Sequence, residues 1–162
     1  KPPVGVKIFN VISADEMYEN TIKNLPVDVA IFAAAVGDFR TKNININKIK
    51  KEKFEKIEII KTKDIIGYTS KHNKLRPKLV IGFAAETNNL DENSKNKLVE
   101  KNCDWIVAND VSNKKIGFDS EYNEVKIFQR NKPNIENISI TTKEMIAKKL
   151  VEKISNELKA NG

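Results

Sequence analysis

Lys48-Ile49-Lys50-Lys51 puts three lysines into four residues of a polar stretch. Lysines on a flexible segment suit a triphosphate, because compact ammonium groups can close over charge that develops in phosphoryl or nucleotidyl transfer. In a lysine-rich chain the same run also reads as solvated surface. Asp38 follows an apolar run, where an aspartate holds a magnesium ion or a hydroxyl group, or simply caps a turn. Lys97 and Lys101 are four apart and share one helical face, so they either converge on one ligand or face solvent together. Glu86-Thr87-Asn88-Asn89 is a polar cluster just past the apolar run Leu79–Phe83, and is more distinctive than the lysines. His72 is the only histidine, without the His, Cys or carboxylate spacing of a metal site, and reads as a surface residue. Cys103, the only cysteine, has no nearby base pattern and reads as packing rather than as a nucleophile.

These groups need a scaffold, and the hydrophobic pattern supplies one. Gly5–Val11 reads as a strand after a Pro-Pro entry. Ser13-Ala-Asp-Glu16 is a capping box opening a helix, with Ala14, Met17, Tyr18, Thr21, Ile22 and Leu25 on its apolar face and Pro26 at its end. Val27–Val36 is almost wholly apolar and predicts a strand buried on both faces, as in a parallel sheet covered by helices. Residues 37–53 are polar without period and read as a long flexible loop; Phe54–Ile60 reads as another strand. Asp64 is placed to cap a short helix through Thr69. Strands are expected at Leu79–Phe83, Asp104–Ala108 and Glu124–Phe128, with a polar helix near Asp91–Asn102. Thr141-Thr-Lys-Glu144 is a second capping box, before a final amphipathic helix bearing Met145, Ile146, Leu150, Val151, Ile154 and Leu158.

Buried strands alternating with helices predict an α/β sheet with right-handed crossovers. Such sheets bind ligands where loops leave the carboxyl ends of their strands. Ala34–Arg40, Phe83–Thr87 and Asn109–Ser112 each follow an apolar strand and so share one rim. At 162 residues, 40% hydrophobic and 31% charged, the chain is sized and composed as one globular domain, residues 1–162. No run approaches the about 20 apolar residues of a membrane span, and one cysteine favours a reducing cytoplasm. The net charge of +7 comes almost wholly from lysine, with only Arg40, Arg76 and Arg130 as arginines. Base readout favours arginine and stacking aromatics, so specific nucleic-acid binding is not expected. No Gly-Gly pair or GxGxxG is present, so a nucleotide site on a glycine-rich first turn has no place here.

Taken in order, Ala34-Ala-Val-Gly-Asp-Phe-Arg40, the lysine run at 48–51, Lys61-Thr-Lys-Asp64, Gly82-Phe-Ala-Ala-Glu-Thr-Asn88, Ala108-Asn-Asp-Val-Ser112 and Gly117-Phe118 resemble bacterial phosphopantothenoylcysteine synthetase. The resemblance covers essentially the whole chain; the string from Gly82 to Asn88 and the lysine run are its most specific parts. It implies a Rossmann-like three-layer α/β domain with a mainly parallel sheet, and a CTP- and magnesium-dependent ligase that joins 4′-phosphopantothenate to L-cysteine in coenzyme A synthesis. It also implies a cytoplasmic homodimer. Carried over by position, the backbone of Phe32, Ala33 and Ala34 touches the nucleotide, and Asp38 lies near the phosphates as a candidate magnesium ligand. Lys48 stabilises charge as the catalytic lysine of a flap over the site. Lys61, Thr62, Lys63, Asp64 and Phe83 border the ribose and phosphates, and Lys97 and Lys101 the cytosine, whose O2 and N3 are acceptors suited to lysine donors.

Lys63 stands where the family usually has proline, and Gly37 and Phe39 replace a small residue and tyrosine. The family's opening strand-turn-helix, with a glycine-rich turn and a catalytic asparagine, has no counterpart before Lys1. The resemblance therefore implies a trimmed domain that is folded but inactive alone. FMN would belong only to a decarboxylase domain not represented in this chain. Two other readings stay open: a nucleotide-binding or dimer-forming fragment without activity, and a basic nucleic-acid binder.

Overall fold

The computed structural model describes residues 3–43, 50, 56–112 and 120–160. Among them, four helices and seven strands follow in the order α1 (Ala14–Lys23), β1 (Val29–Phe32), β2 (Phe39–Thr41), β3 (Ile59–Lys61), α2 (Ile65–Lys71), β4 (Leu79–Glu86), α3 (Leu90–Glu100), β5 (Trp105–Asp110), β6 (Tyr122–Gln129), β7 (Lys132–Thr142) and α4 (Lys143–Ala160). Five strands form one sheet in the order β1-β4-β5-β6-β7, and β2 with β3 forms a separate antiparallel ribbon. The expected parallel sheet is present where β1 pairs β4 and β4 pairs β5 in parallel. An antiparallel β6–β7 hairpin completes it, making the whole sheet mixed.

Helices cover both faces. On one, Leu79, Ile81, Trp105, Val107 and Ile127 pack with Ile146 and Leu150 of α4. On the other, Val80, Ala84, Ile106 and Phe128 pack with Leu98 of α3 and Ile66 of α2. This alternation along β4 and β5 is what period-2 side chains buried on both faces must produce. The layers are therefore helix, sheet and helices, the three-layer α/β architecture.

Helix starts follow their caps. Ser13 Oγ accepts from Glu16 N–H at 3.2 Å, and the Glu16 carboxylate accepts from Ile12 N–H at 2.8 Å. Asp64 Oδ1 accepts from Gly67 N–H at 3.0 Å and opens α2. At α4 it is Thr142, not Thr141, whose hydroxyl accepts from Met145 N–H at 3.2 Å.

Several expectations are corrected. Gly5–Val11 is not a strand; no neighbouring strand among the described residues offers it a ladder, and Gly5 turns the chain at φ 82°. β1 is confined to Val29–Phe32 and is the sheet's edge, with Ile31 exposed rather than buried. The loop reading of residues 37–53 fails at Phe39–Thr41, which pairs with Ile59–Lys61; residues 44–49 and 51–55 lie outside the described residues. β3 begins at Ile59, so of the expected strand Phe54–Ile60 the described residues 56–58 are not strand. β4 runs on to Glu86, and β7, an eleven-residue strand, was not foreseen. Met145 and Val151 of α4 are exposed instead of apolar-face residues.

Candidate functional site

The carboxyl ends of β1, β4 and β5 lie on one rim, with Phe32 beside Gly82 and Glu86 beside Asp110. Beside that rim opens a cleft of about 880 Å³. Its first wall is the chain leaving β1, Ala33 to Asp38. This segment is pinned to the β2–β3 ribbon: Thr62 N–H donates to the Asp38 carbonyl at 2.9 Å, and Thr62 Oγ1 donates to the Gly37 carbonyl at 2.6 Å. The second wall is the start of α2, where Asp64 and Ile65 follow the ribbon directly. Phe83 and Ile106 come from the sheet, and Lys97 and Lys101 from the end of α3. Met17 and Thr21 of α1, with Leu25 just beyond the helix, close the cleft.

Four lysines (61, 63, 97 and 101) and two aspartates (38 and 64) line this space, an excess of positive charge that favours a polyanion. Each cation of the α3 end is already oriented. Lys97 Nζ is 3.3 Å from Glu86 Oε1, and Asn93 Nδ2 donates to Glu86 Oε2 at 3.0 Å. Lys101 Nζ donates to Asp64 Oδ2 at 2.8 Å. Burial opposes charge on Asp64, but its bonds from Lys101 and from Gly67 N–H outweigh that and hold the carboxyl below its ordinary range. The same bond from Lys101 to Asp64 raises the Lys101 ammonium against its desolvation, and the Asp38 charge adds to the shift. Lys63 Nζ sits 4.4 Å from the centre of the Tyr18 ring, a cation–π contact that ties α1 to the cleft.

Eleven predicted positions, namely Phe32, Ala33, Ala34, Asp38, Lys61, Thr62, Lys63, Asp64, Phe83, Lys97 and Lys101, meet in this one cleft. Lys48 lies outside the described residues. Sequence reasoning missed Glu86 as the partner of Lys97, although the polar cluster at 86–89 marked it. It read Met17, Thr21 and Leu25 as part of an apolar helix face without saying what that face meets; α1 buries no residue, and these three line the cleft. His72 Nδ1 accepts from Lys74 and Leu75 N–H groups at 3.2 and 3.0 Å and shapes the turn after α2. Cys103 is fully buried, and burial with the nearby Asp104 pushes its thiol up to about 11, so it is a packing residue.

Among the described residues no three His, Cys, Asp or Glu side chains gather as a metal cage. Asp38 and Asp64 instead line the cleft as single carboxylates. That donor set fits magnesium, which is commonly held by one or two carboxylates plus substrate phosphates. No described helix is long and apolar enough to cross a membrane.

A lysine-lined cleft at the carboxyl ends of parallel strands defines the class as an α/β domain with an open cleft where such sheets bind ligands. The chain belongs to the DFP family, the DNA/pantothenate metabolism flavoprotein C-terminal domain, which it matches over residues 1–158. It is 39% identical over 154 residues to the coenzyme A biosynthesis bifunctional protein CoaBC of Borreliella burgdorferi, covering 93% of this chain and 38% of that protein. It is also 39% identical over 157 residues to the CoaBC protein of Haemophilus influenzae, covering 94% and 38%. The chain thus spans well under half the length of these relatives. The crystal structure of the C-terminal domain of CoaBC superposes with a TM-score of 0.76 at 32% identity, covering 99% of this chain and 70% of that one. A Streptococcus pneumoniae DNA/pantothenate metabolism flavoprotein shares the fold, with a TM-score of 0.73 at 20% identity.

Proposed function

We propose that this chain forms the larger part of a phosphopantothenoylcysteine synthetase domain of coenzyme A biosynthesis, a ligase working on CTP, 4′-phosphopantothenate and L-cysteine. In the first step a phosphopantothenate carboxylate oxygen attacks the α-phosphorus of CTP. The bond to the β-phosphate breaks, leaving an acyl-cytidylate and pyrophosphate. The cysteine amine then attacks the acyl carbon, CMP departs, and the nitrogen loses a proton as the amide forms.

One observation supports this reading above the others: eleven positions dispersed from 32 to 101 converge on one cleft with a surplus of lysines. The backbone at Phe32–Ala34 and the ring of Phe83 flank the nucleoside. Asp38 would hold magnesium, which when bound offsets phosphate charge, and Lys61 and Lys63 contribute further cations on that side. Thr62 holds the Asp38 loop in place through its bonds to Gly37 and Asp38. Lys97 and Lys101, spaced by Glu86 and Asp64, present donors to the O2 and N3 of cytosine. Lys48 stabilises the charge of the α-phosphate as it is attacked. Residues 1–162 act as one domain, and the homodimer and cytoplasmic setting implied by the resemblance belong to the same reading.

Calorimetric titration tests it. CTP should bind more tightly than ATP, and Lys97→Ala with Lys101→Ala should remove that preference. Each charged hydrogen bond lost is worth about 1.5–3 kcal/mol, at the lower end here because the lysines start out paired. Equal affinities for CTP and ATP, unchanged in the double variant, would remove the nucleotide assignment.

A further inference from the structure

A second cavity of about 330 Å³ lies at the opposite rim, beside the first residues of β4 and β5, Leu79 and Trp105. The last turn of α4, with Glu157 and Leu158, lines it from above. Gln129, the last residue of β6, is only 5% exposed, yet neither its amide nitrogen nor its amide oxygen has a protein partner. Gln129 stands directly opposite Trp105 in the antiparallel ladder. Paired residues project to the same face, so the Gln129 side chain is directed to the side on which Trp105 and α4 pack. A buried amide without partners costs free energy at both atoms, and such groups are normally satisfied.

The charges around this cavity are already engaged. Asp28 pairs with Lys78 at 3.1 Å and Lys132 with Glu157 at 3.3 Å. Asp104 is held by Arg76 at 3.0 Å, and the Arg130 guanidinium donates to the carbonyls of Cys103 and Leu98 at 2.9 and 3.1 Å. An ionic ligand would compete with these bonds, whereas a neutral one would not. The apolar floor is Leu79 and Trp105, both buried. The volume is at the lower end of the about 300–1,000 Å³ range of small-molecule pockets.

We propose that this cavity binds a small neutral molecule bearing an amide group, independently of the ligase reading. Once turned towards the cavity that Gln129 lines, its Nε2–H donates to the ligand carbonyl, its Oε1 accepts from the ligand N–H, and the ligand's apolar part rests on Trp105 and Leu79. Such a ligand grips the starting ends of β4 and β5, whose other ends carry the cleft.

Trp105 is the only tryptophan in the chain, so 5-fluorotryptophan gives a single fluorine resonance at the site. The 162-residue chain is titrated with butyramide, butyrate and butylammonium, three probes of similar size. Butyramide alone should shift the resonance saturably. Gln129→Met, close to isosteric, should weaken that binding about tenfold or more, the equivalent of two neutral hydrogen bonds. Gln129→Glu, which loses the donor and adds charge, should weaken it as well. A cavity that holds only water would give no saturable shift with butyramide. That result, an equal response to butyrate, or butyramide binding retained in a folded Gln129 variant would overturn the proposal. The comparison of the three probes on the unaltered chain decides it even where a variant does not fold.

Discussion

The two sides of the cleft differ in how they are held. No described residue before Ile65 is buried, including all of α1, β1, β2 and β3. From β4 onward, Val80, Ile81, Ile106, Val107 and Ile127 are essentially inaccessible. The cleft lies on the seam. Phe32 to Asp38 and Lys61 to Lys63 come from the thinly packed side, and Phe83, Lys97 and Lys101 from the packed one. Segments with few buried apolar contacts open at lower free energy than a core. The contrast teaches that the packed side can present preformed donors, while the thinly packed side relies on local ties such as Thr62 to Gly37 and Lys63 to Tyr18.

The sharpest way to break this comparison uses one rung of the sheet. Ile31 of β1 and Ile81 of β4 are register partners, but Ile81 is 1% exposed and Ile31 51%. Ile81→Ala should cost about 2–5 kcal/mol of stability, combining lost burial with a cavity. Ile31→Ala should stay within about 0.5 kcal/mol, as surface substitutions do. Urea denaturation of the two variants gives both numbers. Equal losses would show that β1 is as firmly packed as β4 and erase the contrast.

A smaller effect is expected where the packed side meets the cleft. A Cβ on Gly82 would approach Ile66 Cδ1 at 2.8 Å, Ile106 Cδ1 at 2.9 Å and Cys103 Sγ at 3.5 Å. The two closest atoms are ends of flexible side chains that also line the cleft. Gly82→Ala should therefore fold, lose about 1–3 kcal/mol, and push Ile66 and Ile106 towards the ligand space. A variant of unchanged stability would mean that β4 is less tightly enclosed than its burial indicates.

The same contrast separates what the sequence revealed from what it did not. β4 and β5 were legible because strands buried on both faces must be nearly continuous apolar runs, and Asp64 and Ser13 announced their helices by cap chemistry. β7 was hidden because only Ile138 in it is buried, and its pairing with β6 is a matter of backbone rather than pattern. Gly5–Val11 was overread for the converse reason: alternation indicates a strand only where a neighbour exists to pair with it. The site's motif residues were legible one by one, but the Glu86–Lys97 and Asp64–Lys101 pairs depend on long-range contacts that no local spacing encodes. The apolar stripe of Met17, Thr21 and Leu25 showed a face, but not whether core or cleft lay opposite it.

The smallest expected effect sits on the seam itself, in the Asp64–Lys101 pair. Asp64→Asn keeps a good N-cap acceptor for Gly67 and removes only the charge, since asparagine and aspartate cap about equally well. The Asp64 carboxyl is held below its ordinary value, because the Lys101 and Gly67 bonds overcome the cost of burial. In acid the native state therefore binds fewer protons at this site than the unfolded chain. The stability it supplies is complete above the unfolded-state value and is lost as pH falls through the native one. Lys101 is raised by the same bond, so its share persists through neutral pH and is lost only as pH rises through its own native value. The Asp64 side chain is 46% exposed, and solvent screening keeps the difference between wild type and Asp64→Asn to at most about 1 kcal/mol at pH 7. That difference should shrink on acidification, vanish once Asp64 is protonated in the native protein, and also fall in high salt. Urea midpoints for both proteins from pH 7 into the acid range measure it. A constant difference across that range would show that the Asp64 charge adds no stability here, leaving Lys101 free of a pair to break.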